Sequence, residues 1–398
     1  MALAPGDLRL PARALALATL LVLAAWGAAR AAEVQVHGLL DVVAAERGEA
    51  YEYNVLTRGD AAFDAYGLRL FANAQVSPKL QIFTQFVFRD AVNPYVDGAY
   101  VLFTPIQARD AHVLAGKIPW PLGTWAPRTY SNRNPLIGTP LMYQYHTTLV
   151  WYDVPPNADA LLATAGGGQA GVNYFGYPEG RGMALVDDSY WDVGVTVVGS
   201  ERPFEYALGM TAGTPGWGST GQDENAGKSV LGRVGIAPLP SLRLGVSGAY
   251  GPYLDQVVRY QLPVGSAVED YHQKLLMADF ELQAGHAELR AEGAHNTWET
   301  PYVGDLHVHG GYVEIKYSLP VGAFVAGRWD ALRFGSIADS TGARHPWDRN
   351  VTRIEGGAGY RFSRDAVAKL IYQRTSMSMD NAPAIRPGMV AAQVSVSF

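Results

Sequence analysis

From residue 34 to Phe398 the chain repeats one pattern: a stretch in which apolar and polar side chains take turns, then a turn or loop. The last ten residues, MVAAQVSVSF, show it plainly. Val390, Ala392, Val394, Val396 and Phe398 share one parity, and Ala391, Gln393, Ser395 and Ser397 the other. A period of two sends successive side chains to opposite faces of a β-strand, so each stretch has one greasy and one wet face. A chain built from such strands must cover the greasy faces, either with a second sheet or with lipid.

The pattern predicts strands near 34–44, 80–89, 112–117, 203–212, 241–250, 286–295, 321–331 and 366–376 running one way. Strands near 64–76, 96–104, 189–199, 228–237, 272–283, 308–319, 351–362 and 389–398 run back. Connections alternate between tight turns, such as SPK, SER, PLP and SRD, and long polar stretches such as GTPGWGSTGQDENAGK and GSIADSTGARHPWDRN. A soluble β-sandwich also alternates, but its outer face is usually rich in charge. Here the polar faces carry mostly Gly, Ser, Thr, Gln and isolated charges, and Tyr, Trp and Phe gather near strand ends. An even strand number, short turns on one side, long loops on the other and interfacial aromatics predict an all-β fold, a transmembrane antiparallel β-barrel of about 16 strands.

Composition narrows the setting. Among 398 residues there is no Cys, so disulfides, thiolate metal sites and covalent haem attachment are excluded. The net charge of −6 carries no basic run, which argues against nucleic acid as a partner. The one sustained apolar run, ALALATLLVLAAW over 14–26, is short for a membrane helix. Arg9 and Arg13 precede it and Ala29-Arg30-Ala31 follows, the layout of a secretory signal peptide over 1–31, with an N-terminal anchor helix as the alternative. Residues 32–398 then form the barrel.

A final strand that alternates and stops on Phe398 resembles the terminal signature of Gram-negative outer-membrane proteins. That resemblance implies the bacterial outer membrane as location, and outer-membrane lipid and the barrel-assembly machinery as partners. The rhythm breaks once, over about 119–187, where Pro119, Pro121, Pro127, Pro135 and Pro140 rule out a central strand. A long irregular stretch inside a regular fold points to function. It follows the fifth strand, a position that resembles the long third loop of general porins, which folds inward and narrows the pore. The resemblance implies a constriction, with Lys117, Arg128, Tyr130, Arg133, His146, Asp153 and Arg181 as candidates to line it. The stretch AHVLAGKIPWPLG resembles, at Gly116, Lys117, Pro121 and Gly123, the entry to the constriction loop in phosphate-selective porin O/P-type channels. This would imply a homotrimer.

With the apolar parity facing lipid, the other parity faces the lumen. It holds Arg69, Arg89, Arg290, Arg328 and Arg353 as candidate lumen-wall residues, together with acids such as Asp41, Glu292, Glu314, Asp330 and Glu355. The signs are nearly balanced, without the basic cluster a strongly anion-selective pore needs. There is no Gly-x-Ser-x-Gly elbow and no His-Glu-x-x-His, so no catalytic residue, metal or other cofactor is expected. His307 and His309 share a parity, a spacing common by chance. Three functions remain: a porin passing small hydrophilic solutes or ions passively or with weak selectivity, the barrel sheath of a porin–cytochrome electron conduit, and an outer-membrane enzyme. The alternation and the interrupting segment favour the porin.

Overall fold

The computed structural model describes residues 33–47, 65–88, 95–166, 182–187, 190–218, 225–379, 382–386 and 388–398. The predicted signal segment 1–31 lies outside them. Sixteen long strands carry the fold: β1 (Glu33–Arg47), β2 (Ala65–Ser77), β3 (Leu80–Phe88), β4 (Tyr95–Phe103), β5 (Asp110–Pro119), β6 (Trp191–Glu201), β7 (Phe204–Thr211) and β8 (Ser229–Leu239) form one half. The other half is β9 (Leu242–Pro252), β10 (His272–Ala284), β11 (Ala287–Thr300), β12 (Gly304–Ser318), β13 (Ala323–Phe334), β14 (Val351–Arg361), β15 (Ala366–Met379) and β16 (Gly388–Ser397). Each pairs antiparallel with the next, and β16 pairs with β1 from Leu39↔Ser397 to Arg47↔Met389, so the sheet closes on itself.

Closure explains why so apolar a strand can stand last. Gly38 and Phe398 exchange both backbone hydrogen bonds, at 2.8 and 3.0 Å. The Phe398 ring lies over Gly38, where any Cβ would fall inside it. Glycine at that position lets the terminal aromatic cover the backbone of the first strand.

The two faces differ as the alternation demands. Outward side chains are exposed and apolar, among them Leu208 (65%), Val234 (63%), Ile354 (62%) and Val246 (54%). Phe204, Tyr317, Tyr360, Phe362 and Phe398 stand outward close to the short-turn ends, an aromatic girdle at one membrane edge. The inward parity holds Asp41, Gln85, Asp279, Glu292, Glu314, Arg328, Asp330, Arg353, Glu355 and Lys369, all buried. The outer wall is thus an apolar band of the kind a membrane-spanning barrel presents to hydrocarbon.

Two features depart from the sequence reading. Strands β11 and β12 run on to Thr300 and Gly304 and are joined by a three-residue turn, Pro301–Val303, on the long-loop side. Alternation fades there because the outward face turns polar above the membrane, at His295, Thr297, His307 and His309, while Trp298, Leu306 and Val308 stay buried inward. The interior is also not polar throughout. Near the long loops the inward positions Leu275, Met277, Trp298, Val308, Leu332, Phe334 and Met377 are apolar and belong to one buried core with residues of the interrupting segment.

Leu208→Arg or Val246→Arg is expected to cost about 2–4 kcal/mol, because each puts a cation near mid-membrane on the lipid face. Asn73→Arg, on the inward parity opposite Phe83, is expected to fold normally. Heat-modifiable gel mobility checks this: the first two variants lose the compact band and the third keeps it.

Candidate functional site

Between β5 and β6 the chain leaves the wall at Trp120 and returns at Tyr190, whose carbonyl accepts from the Trp120 amide at 2.9 Å. Its prolines permit only short pieces of structure: a 3-10 turn at Ala126–Arg128 and one-turn helices at Leu141–Gln144 and Ala158–Ala163. Asn157 caps the last by accepting from the Ala160 amide at 2.9 Å.

A buried segment with so little internal pairing must find partners elsewhere, and it finds them on the inward side chains of the wall. Glu292 of β11 accepts from the Thr124 amide (2.9 Å), the Thr124 hydroxyl (2.8 Å), Tyr143 and, within the wall, Tyr312 (2.9 Å). Glu355 of β14 accepts from the amides of Ile137 (3.2 Å) and Gly138 (2.9 Å), and Asp330 of β13 from that of Leu141 (3.1 Å). Lys369 of β15 donates to the carbonyls of Ser131, Asn134 and Leu136 at 2.8, 3.1 and 2.8 Å. Ser131 reaches Asp41 of β1, and Tyr130 donates to Gln85 of β3 at 2.8 Å. These partners ring the barrel, so residues 123–141 cross its interior.

The predicted site residues fall into distinct places. Arg128 is buried, pairs with Glu314 and stacks over Trp125, with its guanidinium carbon 4.8 Å from the ring centroid. Arg328 approaches the same ring at 5.5 Å and binds Glu314 (3.3 Å), Asp330 (3.3 Å) and Glu355 (2.5 Å). Two cations thus share one indole and three carboxylates, a network that holds the crossing segment to β12, β13 and β14. Arg353 donates to Gln144 Oε1 (2.6 Å), the Thr139 carbonyl (3.3 Å) and Thr375 Oγ1 (3.1 Å). Arg69 pairs with Asp41 at 3.4 Å, and its guanidinium lies 6.0 Å from the Tyr130 ring centroid. Burial pushes the Tyr130 hydroxyl up to about 12, so it stays a neutral donor. Arg290 bridges Glu281 (3.2 Å) and Glu288 (2.9 Å) along the wall. Arg133 is exposed beneath the crossing segment. Arg89 and Arg181 lie outside the described residues.

Three candidates are not brought together with these. Lys117 stands opposite Ala99 and Val193, on the parity of the exposed Val193 and not that of the buried Leu114 and Ile118. Its placement in the lumen is therefore corrected. The register of β5 is set by inward Leu114 and Ile118, and the Lys117 ammonium instead extends along the outer surface to the Val96 carbonyl at 3.0 Å. His146 is buried, with Nδ1 2.5 Å from the Gly182 carbonyl. Asp153 is exposed and accepts from the Val154 amide at 3.0 Å. Among the described residues no group of His, Asp and Glu is placed to hold a metal ion.

The part of the segment nearest the long loops is tied to the loop at 335–350. Asp348 accepts from the amides of Thr148 (2.7 Å), Gly166 (2.7 Å) and Arg349 (2.7 Å) and from Tyr145 (3.2 Å). Trp151 and Trp217 stack at 3.6 Å between centroids, and Trp347 packs edge-on against Trp298 and Phe334. Sequence reasoning missed this apolar cap; the Trp residues in the long loops were its only signal.

No family model and no curated protein matches the sequence. Solved structures do match in shape. The anion-selective porin of Comamonas acidovorans aligns with TM-score 0.57 and 10% identity over 92% of this chain and 100% of that one. OmpT of Vibrio cholerae, an outer membrane protein in trimer form, gives 0.54 and 12% over 93% and 100%. OmpF of Salmonella typhi, solved with daunomycin, gives 0.53 and 11% over 92% and 98%. At such identities the likeness is one of fold: this chain has the sixteen-stranded architecture of outer-membrane porins.

Removing one partner of a buried charge network strands the others and costs about 3–5 kcal/mol. Glu355→Ala leaves the Ile137 and Gly138 amides without their acceptor and removes one of the three carboxylates that Arg328 binds, and guanidinium unfolding in detergent, followed by Trp fluorescence, should show a loss of that size. The Asp348 carboxyl is held up to about 6 by burial, against the pull of its donors. A raised folded-state pKa means that the folded chain binds the proton more tightly, so this contribution is present at pH 4 and lost as pH rises through about 6. Limited proteolysis should cut residues 148–166 faster at pH 7 than at pH 5, and Asp348→Asn should flatten that difference.

Proposed function

We propose that the chain is an outer-membrane porin that passes small hydrophilic solutes or ions by diffusion, passively or with weak selectivity, and that it works as a homotrimer. The observation that carries this reading is a closed wall, apolar outside and polar at mid-height inside, whose inner side chains grip a segment laid across its own interior. The segment 119–187 acts as the constriction. Arg128 and Tyr130 anchor its rim, Arg133 faces the water beneath it, and Arg69, Arg290, Arg328 and Arg353 set the field along the wall. Balanced charge in that wall supports a filter of size and local field more than one of ion sign. The likeness in fold to the anion-selective porin of Comamonas acidovorans, and to an outer membrane protein of Vibrio cholerae in trimer form, supports the same reading. An electron-conduit sheath needs a hollow interior for its redox partner, and here the chain's own segment fills much of that space.

Purified, heat-modifiable protein in planar lipid bilayers should give discrete ion-conductance steps, in groups of three for a trimer. Folded protein that inserts without passing current would contradict the proposal.

A further inference from the structure

The charges of the interior are paired almost everywhere except beneath the crossing segment. Glu205 and Asp279 meet Arg233 at 3.3 and 2.7 Å. Glu281 and Glu288 meet Arg290, and Glu288 also meets Lys316 at 2.7 Å. Glu314, Asp330 and Glu355 share Arg328, and Asp41 has Arg69. Glu292 is enclosed by hydroxyls and the Thr124 amide. The carboxylates are thereby taken up; Lys369 gives its charge to carbonyls of the segment, and two further cations, Arg133 and Arg361, lie together in one place.

That place is a cavity between the underside of the segment and the short-turn ends of β12–β15. Arg133, Arg361 and Lys316 line it together with Phe324, Val367 and Pro135. Arg361 donates to the Asn132 carbonyl at 3.1 Å. Among the described residues neither Arg133 nor Arg361 has a carboxylate partner. Lys316 also faces the Phe324 ring, at 5.6 Å from Nζ to centroid. Two unneutralised guanidiniums suit a carboxylate, whose geometry a guanidinium fork matches, and Pro135, Leu319, Phe324 and Val367, which line the same cavity among Asn132, Asn134 and Ser318, give its hydrocarbon body apolar neighbours.

We infer that this cavity binds small organic carboxylates on the short-turn, periplasmic side of the constriction, and that the channel therefore favours such anions over chloride and inorganic phosphate. The inference deepens the porin reading and rests on it for transport, although binding itself does not require conduction. Residues of the segment and of β14 form the site jointly, so a solute meets it only after passing the rim at Arg128 and Tyr130.

The test uses benzoate, inorganic phosphate and chloride as probes on the full chain. In bilayers with potassium chloride as carrier, benzoate on the periplasmic side should reduce the current saturably, and phosphate should do so only at much higher concentration. Arg133→Gln and Arg361→Gln should each raise the half-blocking benzoate concentration about tenfold, the loss expected for one charge-assisted hydrogen bond. Arg133 makes no side-chain bond to other described residues, so that variant should fold, and heat-modifiable mobility checks it. Phe324→Ala should weaken benzoate and leave phosphate unchanged. Titration calorimetry of benzoate in detergent reads the cavity without current. Binding in detergent with no conductance would sink the channel reading and leave the site. No saturable benzoate binding, equal strength for phosphate, or no effect of either arginine substitution would overturn the inference.

Discussion

Every backbone amide and carbonyl that enters hydrocarbon must find a partner within the protein, because an unpaired one costs several kcal/mol there. For a chain whose strands are greasy on one side, this demand has one economical solution, a sheet without edges. The ladder between β16 and β1 supplies it, from Met389 with Arg47 to Ser397 with Leu39, and Phe398 extends it by its bonds to Gly38. Once the wall is closed, the two parities acquire different solvents. The outward one meets lipid, and the inward one must be satisfied inside a confined space.

The interior answers that second demand in two layers. Toward the short turns, ion pairs run from strand to strand, as from Glu205 through Arg233 to Asp279. At mid-height the charges turn from one another to the backbone of the crossing segment. Glu355, Asp330 and Lys369 each spend hydrogen bonds on amides or carbonyls of residues 131–141, a stretch with little regular structure of its own. Toward the long loops the inward surface is apolar and packs against Trp125, Tyr143, Leu149 and Trp151. Polar grip below and apolar packing above hold one irregular segment across a wide barrel.

Much of this was legible in the sequence, because period-two alternation is a direct consequence of strand geometry and was strong in nearly every strand. It was weakest at Asn296–Val308, where two strands rise above the membrane edge and lose the lipid that enforces alternation. The interrupted segment was legible through its prolines. Its anchors were only half so: the parity of Glu292, Glu355 and Lys369 placed them inward, but a wall position does not reveal whether its partner is a neighbouring strand or a loop distant in sequence. Lys117 shows the limit of reading one side chain by its charge. Its parity belongs to the ladder, and a long stem lets its ammonium reach a carbonyl from the outer face. The apolar upper interior was illegible for the same reason: alternation tells which side chains share a face, not what fills the space they face.

The closure of β1 on β16 can be tested directly, because the chain has no Cys of its own. Ala44 and Ala392 stand opposite each other in that ladder. Cysteines at these two positions lie within the cross-strand distance at which a disulfide forms. Mild oxidation of the membrane-inserted double variant should join them and shift its denatured gel mobility, which reduction reverses, whereas cysteines at Ala44 and Gly209 should stay unjoined. Two reactive thiols at 44 and 392 that never cross-link in the folded protein would contradict the closed wall and the channel built on it.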